Sequence, residues 1–362
     1  MAEGRNSLAI RKKEECKWDL VSLGEVMLRL DPGDVRVATA RQFQVWEGGG
    51  EYNVARSLRR CFGLRTAIAT ALADNPVGRL VEDLILQGGV DTTLLHWTPY
   101  DSVGRSVRNG LNFVERGFGA RAPLGCSDRG HTAIAQVSEQ TWNWPALFAQ
   151  NTIRALHTGG VFAALGDHTP AVAKAAMSAA RTAGALISYD FNYRPSLWAG
   201  REHSAAEINS SLVREADILF AGEHDFSHRL GVSFDGLPHG PERRHEILLR
   251  AHRAYPNLRA IAMTERIVES SCRHHWGAAA LVDGNFFVVE TRHVEVLDRI
   301  GCGDSFAAGF LYGLLTGKDP LWSLRCGVAH GALAMSTPGD TSMATLAEVL
   351  KEMEGGALRT ER

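Results

Sequence analysis

The sequence predicts an α/β protein whose mostly parallel central sheet is covered by helices on both faces, and three observations predict it. Short apolar runs recur at Leu20 to Leu23, Ala67 to Ala71, Ala155 to Thr158, Ala185 to Tyr189, Ile218 to Ala221, Ala260 to Met263 and Ala278 to Val282. A strand buried on both faces needs such a continuous run rather than strict alternation. Between several of them lie stretches with apolar residues at helical spacing, namely Asn53 to Cys61, Val77 to Gln87, Thr169 to Ala183 and Glu246 to Arg253. Strand and helix in turn give parallel crossovers. Glycine-rich turns lead into helices at two points, where sheets of this class bind ligands beyond their strand ends.

Residues 1–17 mix Arg5, Arg11, Lys12 and Lys13 with Glu14 and Glu15 and lack an apolar segment, so they read as a mobile extension rather than a secretory leader. Val26 to Val45 and Ser102 to Phe118 break the rhythm. They are extended and turn-rich, suited to strands exposed on one face. Gly48, Gly49 and Gly50 permit close backbone approach, and the amide of Asn53 both donates and accepts. A flexible turn before a helix is the alternative. Gly117 to Gly130, rich in Gly and Arg with Pro123, reads as a mobile loop near a site.

With 362 residues the chain has ample material for a core. A formal charge of −2 gives no global pull toward nucleic acid or membrane. No apolar stretch approaches the roughly 18 to 20 residues that span a bilayer. The six cysteines include no CxxC pair, so they point to neither a zinc site nor a disulfide framework and fit a reducing cytoplasm.

The chemically richest stretch runs Asp298, Arg299, Ile300, Gly301, Cys302, Gly303, Asp304, Ser305, Phe306. Glycines at 301 and 303 allow a sharp turn against a helix whose first N–H groups lack intrahelical partners and favour an anion. A carboxylate there opposes a phosphate unless its task is to take a proton from the hydroxyl that attacks it. The segment therefore reads as phosphoryl transfer. The bland alternative is a tight turn with Asp304 capping a helix.

This segment resembles the late signature of the ribokinase-like, phosphofructokinase-B family of carbohydrate kinases: Asp, two residues, Gly, Ala, Gly, Asp, a small residue and Phe. Cys302 replaces the middle alanine. The early signature matches at Gly48, Gly49 and Asn53, with Gly63 closing the helix, and the resemblance covers nearly the whole chain. It implies a three-layer sandwich over residues 18–362, with a discontinuous β-sheet lid from about 26–45 and 102–130. That lid often pairs with another subunit's, which implies a homodimer. It also implies ATP and Mg2+, with Asp304 as general base and the backbone of Gly301, Cys302 and Gly303 as anion hole. A Cys302 thiol beside the transferred phosphate is then an expected point of oxidation.

Leu23, Gly24 and Glu25, and the run from Asp190 to Trp198, look most like the 2-keto-3-deoxygluconate kinases. By that resemblance Gly48, Gly49, Asn53 and Asn112 hold the sugar and Arg194 and Arg129 its carboxylate, although a surface salt bridge or a nucleotide phosphate remains open for Arg194. The tyrosines that such kinases carry before the equivalent of Arg129 are absent. Asn192, Thr264 and Arg266 are implied nucleotide contacts, but the family's glycines after Thr264 are missing, and Ser270 to Trp276, with Cys272, His274 and His275, reads as an added solvated loop rather than a metal site. The family's metal motif, Asn, two residues, Glu, has become Gly222, Glu223, His224, Asp225. Glu223 and Asp225 are the candidate Mg2+ ligands, with helix capping an equal reading. The expected activity is ATP-dependent phosphorylation of a sugar acid, 2-keto-3-deoxygluconate to its 6-phosphate. A fructokinase or ribokinase acting on a neutral sugar, and a non-catalytic binding protein of the same fold, are the alternatives.

Overall fold

The computed structural model describes residues 10–150, 153–237, 240 and 242–355. In chain order its strands are β1 (Leu20–Leu23), β2 (Met27–Asp31), β3 (Gln44–Gly48), β4 (Thr66–Ala73), β5 (Leu95–Thr98), β6 (Leu111–Glu115), β7 (Leu124–Asp128), β8 (Ala155–Gly159), β9 (Leu186–Asp190), β10 (Ile218–Phe220), β11 (Ala260–Ser270), β12 (Arg273–Val282) and β13 (Asn285–Glu295). A nine-stranded sheet has the order β13-β12-β11-β10-β9-β8-β1-β4-β5, parallel from β5 through β11 and antiparallel at β11/β12 and β12/β13. Within it Ile218 pairs with Ser188 on one side and Ala260 on the other. A second sheet has the order β3-β2-β6-β7. β2, the start of β3 and β6 come from the two segments whose sequence departs from the main rhythm, and β7 follows them in the 117–130 stretch.

The helices are α1 (Gly50–Arg60), α2 (Pro76–Gln87), α3 (Trp144–Gln150), α4 (Gly160–Ala164), α5 (Thr169–Ala183), α6 (Pro195–Trp198), α7 (Glu202–Val213), α8 (Glu223–Arg229), α9 (Glu242–Ala254), α10 (Cys302–Leu315), α11 (Pro320–Ala334) and α12 (Leu346–Met353). Local chemistry sets several of their ends. Asn75 accepts from the Gly78 amide ahead of α2, Asp319 does the same for Trp322 at α11, and Gly184 at φ +75° stops α5. Successive strand residues point to opposite faces: Leu219 joins the core under α5, α7 and α9, while Ile218 and Phe220 join the core under α1, α10 and α11. The ligand region thus rests on two packed layers.

The small residues after Asp304 have a steric reason. A Cβ on Gly309 would lie 2.8 Å from the Cys326 carbonyl, and one on Gly327 would lie 2.8 Å from that of Phe306, so α10 and α11 approach backbone to backbone. This holds the start of α10 rigidly. No helix among the described residues is long and apolar enough to cross a membrane.

Three expectations need correction. Residues 10–17 are anchored rather than loose: Cys16 is buried, Ile10 packs on the core, Arg65 donates to the Cys16 and Lys13 carbonyls, and Arg154 donates to that of Arg11. Residues 1–9 lie outside the described residues. The 117–130 stretch contains β7, paired antiparallel with β6, instead of being loop throughout. The 270–276 stretch is mostly strand, because β11 runs on to Ser270 and β12 returns from Arg273, with Arg266 opposite Trp276.

Candidate active site

A polar cavity of about 860 Å³ opens where the carboxyl ends of β9 and β10 and the middle of β11 meet the start of α10. A second cavity of about 610 Å³, beside Trp142, Trp144 and α5, is lined by no cation and no glycine turn. The polar cavity contains the chemistry. Gly301 sits at φ +76°, and a Cβ there would fall 1.9 Å from the Asp340 carbonyl oxygen, so the turn demands glycine for both conformation and space. At Gly303 a Cβ would meet nothing within 4 Å. That position is open toward the cavity. Because α10 begins at Cys302, the amides of its first turn have no carbonyl one turn back to bond.

Asp304 lies in that first turn. Asn53 donates from Nδ2 to its Oδ2 at 2.6 Å, linking α1 to α10 across 251 residues. Burial pushes the Asp304 carboxyl up to about 6. Asp190, at the end of β9, is pushed well above the usual carboxylate range by burial and then by the charge of Asp304. Burial thus raises both carboxyls, and Asp190 meets the charge of Asp304 in addition.

The glycine cluster behaves as close-packed backbone. A Cβ on Gly49 would lie 1.9 Å from the Glu25 carbonyl oxygen, and one on Gly48 would lie 2.3 Å from Asp340 Oδ2. Gly49, Gly50 and Asn53 line the cavity, whereas Gly48 packs behind it against Asp340. Gly50 faces both Asn192 and Asp304. Asn192, expected on the nucleotide side, is therefore next to the first glycine cluster, in the left-handed region at φ +36°. Asn112 also lines the cavity and accepts from Ser127 Oγ at 3.1 Å.

The cations divide. Arg194 is exposed in the cavity, donates only to the Tyr193 carbonyl and closes no ion pair among the described residues. Arg129 reaches the same cavity but is bound to buried Glu25, with Nε 2.6 Å from Oε2 and Nη2 on the same oxygen. Glu25 thus balances its charge, while Arg129 still lines the cavity that Arg194 enters. Thr264 and Arg266 line the cavity from β11, and Arg299, which the sequence reading left unassigned, joins them.

The expected magnesium pair does not assemble. Glu223 is paired with Arg243 and does not line the cavity, so its assignment is withdrawn. Asp225 does line it, but its Oδ2 accepts from the Gly222 amide at 2.8 Å and caps its own helix. Among the described residues no three His, Cys, Asp or Glu groups converge as a ligand set. The residues present do not fit a metal held by that pair. Cys302 lines the cavity, yet it belongs to the buried apolar core and burial pushes its thiol up. A buried, protonated thiol is inert, so the expected oxidation point is corrected as well.

Behind the turn lies a charge cluster that meets the cavity only through Asp340. Arg29, fully buried, donates from Nη1 to Asp340 Oδ1 at 2.8 Å and from Nη2 to Asp31 Oδ2 at 3.0 Å and Asp298 Oδ2 at 2.5 Å. Asp298 also accepts from the Ile300 amide at 3.2 Å. The first aspartate of the late signature therefore shapes the turn rather than touching a ligand. Arg29 and Asp340 were not legible as partners because 311 residues separate them.

These features have counterparts. A family model described as pfkB family carbohydrate kinase matches residues 17–346. The chain is similar to the 2-dehydro-3-deoxygalactonokinase of Haloferax volcanii, 27% identical over 345 residues, 95% of this chain and 99% of that protein. It is also similar to the 5-dehydro-2-deoxygluconokinase of Shouchella clausii, 26% identical over 348 residues, 94% and 97% of the two chains. Among solved structures, the 2-dehydro-3-deoxygluconokinase of Thermotoga maritima superposes with a TM-score of 0.85 at 29% identity, covering 93% of this chain and 99% of that one.

Proposed function

We propose, on the premise that the chain belongs to the pfkB family of carbohydrate kinases, that it transfers the γ-phosphoryl group of ATP to the terminal hydroxyl of a keto-deoxy sugar acid, 2-keto-3-deoxygluconate being the leading acceptor. One observation carries the reading. Asp304, the open glycine turn and an unpaired Arg194 converge on a single cavity. The relatives' names support it, since each specifies a dehydro-deoxy sugar acid.

In this mechanism Asp304 accepts the hydroxyl proton as the oxygen attacks the γ-phosphorus, the new P–O bond forms, and the bond to the β-phosphate oxygen breaks to release ADP. Asn53 fixes the carboxylate's orientation through its 2.6 Å bond. The first-turn amides of α10 stabilise charge on the phosphoryl oxygens. Gly49 and Gly50 let the sugar approach backbone, and Arg194 takes its carboxylate.

A panel of sugars and sugar acids, with ATP and magnesium and ADP release as readout, tests the reading; no turnover across the panel removes it. Arg194→Met raises KM for acidic acceptors about tenfold or more, the worth of a charge-assisted hydrogen bond, and leaves neutral sugars within about threefold. Equal losses on both classes would detach Arg194 from the carboxylate. Arg129→Ala is a poorer probe, because it strands Glu25 unpaired in the interior.

The two glycines of the turn separate folding from chemistry. Gly301→Ala lowers the melting temperature, since its Cβ meets backbone. Gly303→Ala melts at or above wild type, a helical Gly→Ala gain of up to about 1 kcal/mol, yet turns over more slowly because a methyl enters the phosphate site. Thermal scans and steady-state rates on the two variants check this, and a Gly303→Ala enzyme with wild-type turnover contradicts the placement.

A further inference from the structure

Phosphoryl transfer requires positive charge around the transferred group. This cavity makes the demand sharper, because Asp225 and Asp304 face it and Glu223, the other half of the expected metal pair, is held by Arg243. Two guanidiniums stand where that charge is needed. Arg266 projects from the part of β11 that continues beyond β10, and Arg299 lies two residues before Gly301. Both are exposed in the cavity, and neither donates a hydrogen bond nor closes an ion pair among the described residues.

They also act on common ground. Burial and then the charge of Arg266 hold the Arg299 group below its usual range, and after burial the same two arginines depress His274. Two like charges in one cavity, neither of them ion-paired among the described residues, repel, and an anion bridging them relieves that repulsion. Guanidiniums present paired donors matched to phosphate oxygens.

We propose that Arg266 and Arg299 form a clamp on the phosphate chain of the nucleotide, supplying the positive charge that segment 222–225 does not. The clamp rests on the kinase reading and deepens it. It acts on phosphates rather than on the nucleoside, so its effect grows with phosphate number.

The test is equilibrium binding of ATP, ADP and AMP, by calorimetry in EDTA, to the full chain and to its Arg266→Gln and Arg299→Gln variants, with inorganic tripolyphosphate as competitor. The wild type binds ATP without metal, and tripolyphosphate displaces it. Each variant weakens ATP and tripolyphosphate about tenfold or more and leaves AMP within about twofold. Both side chains are exposed, and a thermal scan verifies that the variants fold. Unchanged ATP affinity in both variants, beside normal wild-type sugar phosphorylation, overturns the clamp alone. An equal loss for AMP and ATP also overturns it, by placing the arginines on the nucleoside. A wild-type chain that phosphorylates no sugar, with or without magnesium, removes the kinase reading itself.

Discussion

Asp304→Asn lowers turnover by about 10²–10⁴-fold, the usual worth of a general base, while melting no lower than wild type at pH 7. The two halves share one cause. Burial holds the folded carboxyl at about 6 against an ordinary value of 3.8. Between those values the folded state binds more protons than the unfolded one, so this group's contribution to stability falls as pH rises from 3.8 to about 6 and stays low above it. Asparagine removes that burden together with the base. In the wild type, kcat/KM rises with pH through about 6 and then levels as Asp304 ionises. ADP release across pH and thermal scans read both halves. A variant with near-normal turnover, or one that melts well below wild type, contradicts the role given to this side chain.

Arg29→Met costs about 3–5 kcal/mol of stability, because it leaves carboxylates buried without their cation. Asp31, Asp298 and Asp340 all bond this one guanidinium, and among the described residues only Asp31 is ion-paired with a second, Arg116 at 3.4 Å. The deficit narrows on acidification, as Asp340, which burial already pushes up, takes up a proton once its cation is gone. Denaturant titration at pH 7 and at pH 5 measures both effects. A loss below about 1 kcal/mol, or one independent of pH, would mean that the cluster is neutral or solvated. Turnover falls with stability here, since Asp298 and Asp340 support the Gly301 turn.

Legibility in the sequence followed locality. Thr169–Ala183 was bounded correctly because Pro170 and Gly184 punctuate an apolar helical repeat, and Leu20–Leu23 because it is apolar throughout. β11 was read only to Met263, since its continuation, Thr264 to Ser270, is largely polar and exposed and carries no core-facing pattern. The glycine turn and Asp304 were readable because consecutive residues build them. Glu223 and Asp225 were not separable by the same means. Two residues apart on a helix, they point about 160° away from each other, and only the packing of α8 decides that Asp225 faces the cavity. Arg129, Arg299 and Asp340 depend on partners or surroundings distant in the chain, for which no spacing rule exists.

Arg29 has a mechanical consequence. It belongs to the small sheet, while its partners Asp298 and Asp340 belong to the segments that shape the phosphate turn. The small sheet is therefore pinned at β2 and cannot pivot there without breaking buried ion pairs. Because β6 pairs directly with β2, Asn112 opposite Arg29, whatever play the sheet has is left to its edge strand β7, which carries Ser127 at the cavity. An acceptor of different length would be accommodated by displacement of that outer edge, with the distance from hydroxyl to phosphorus held constant by the pin.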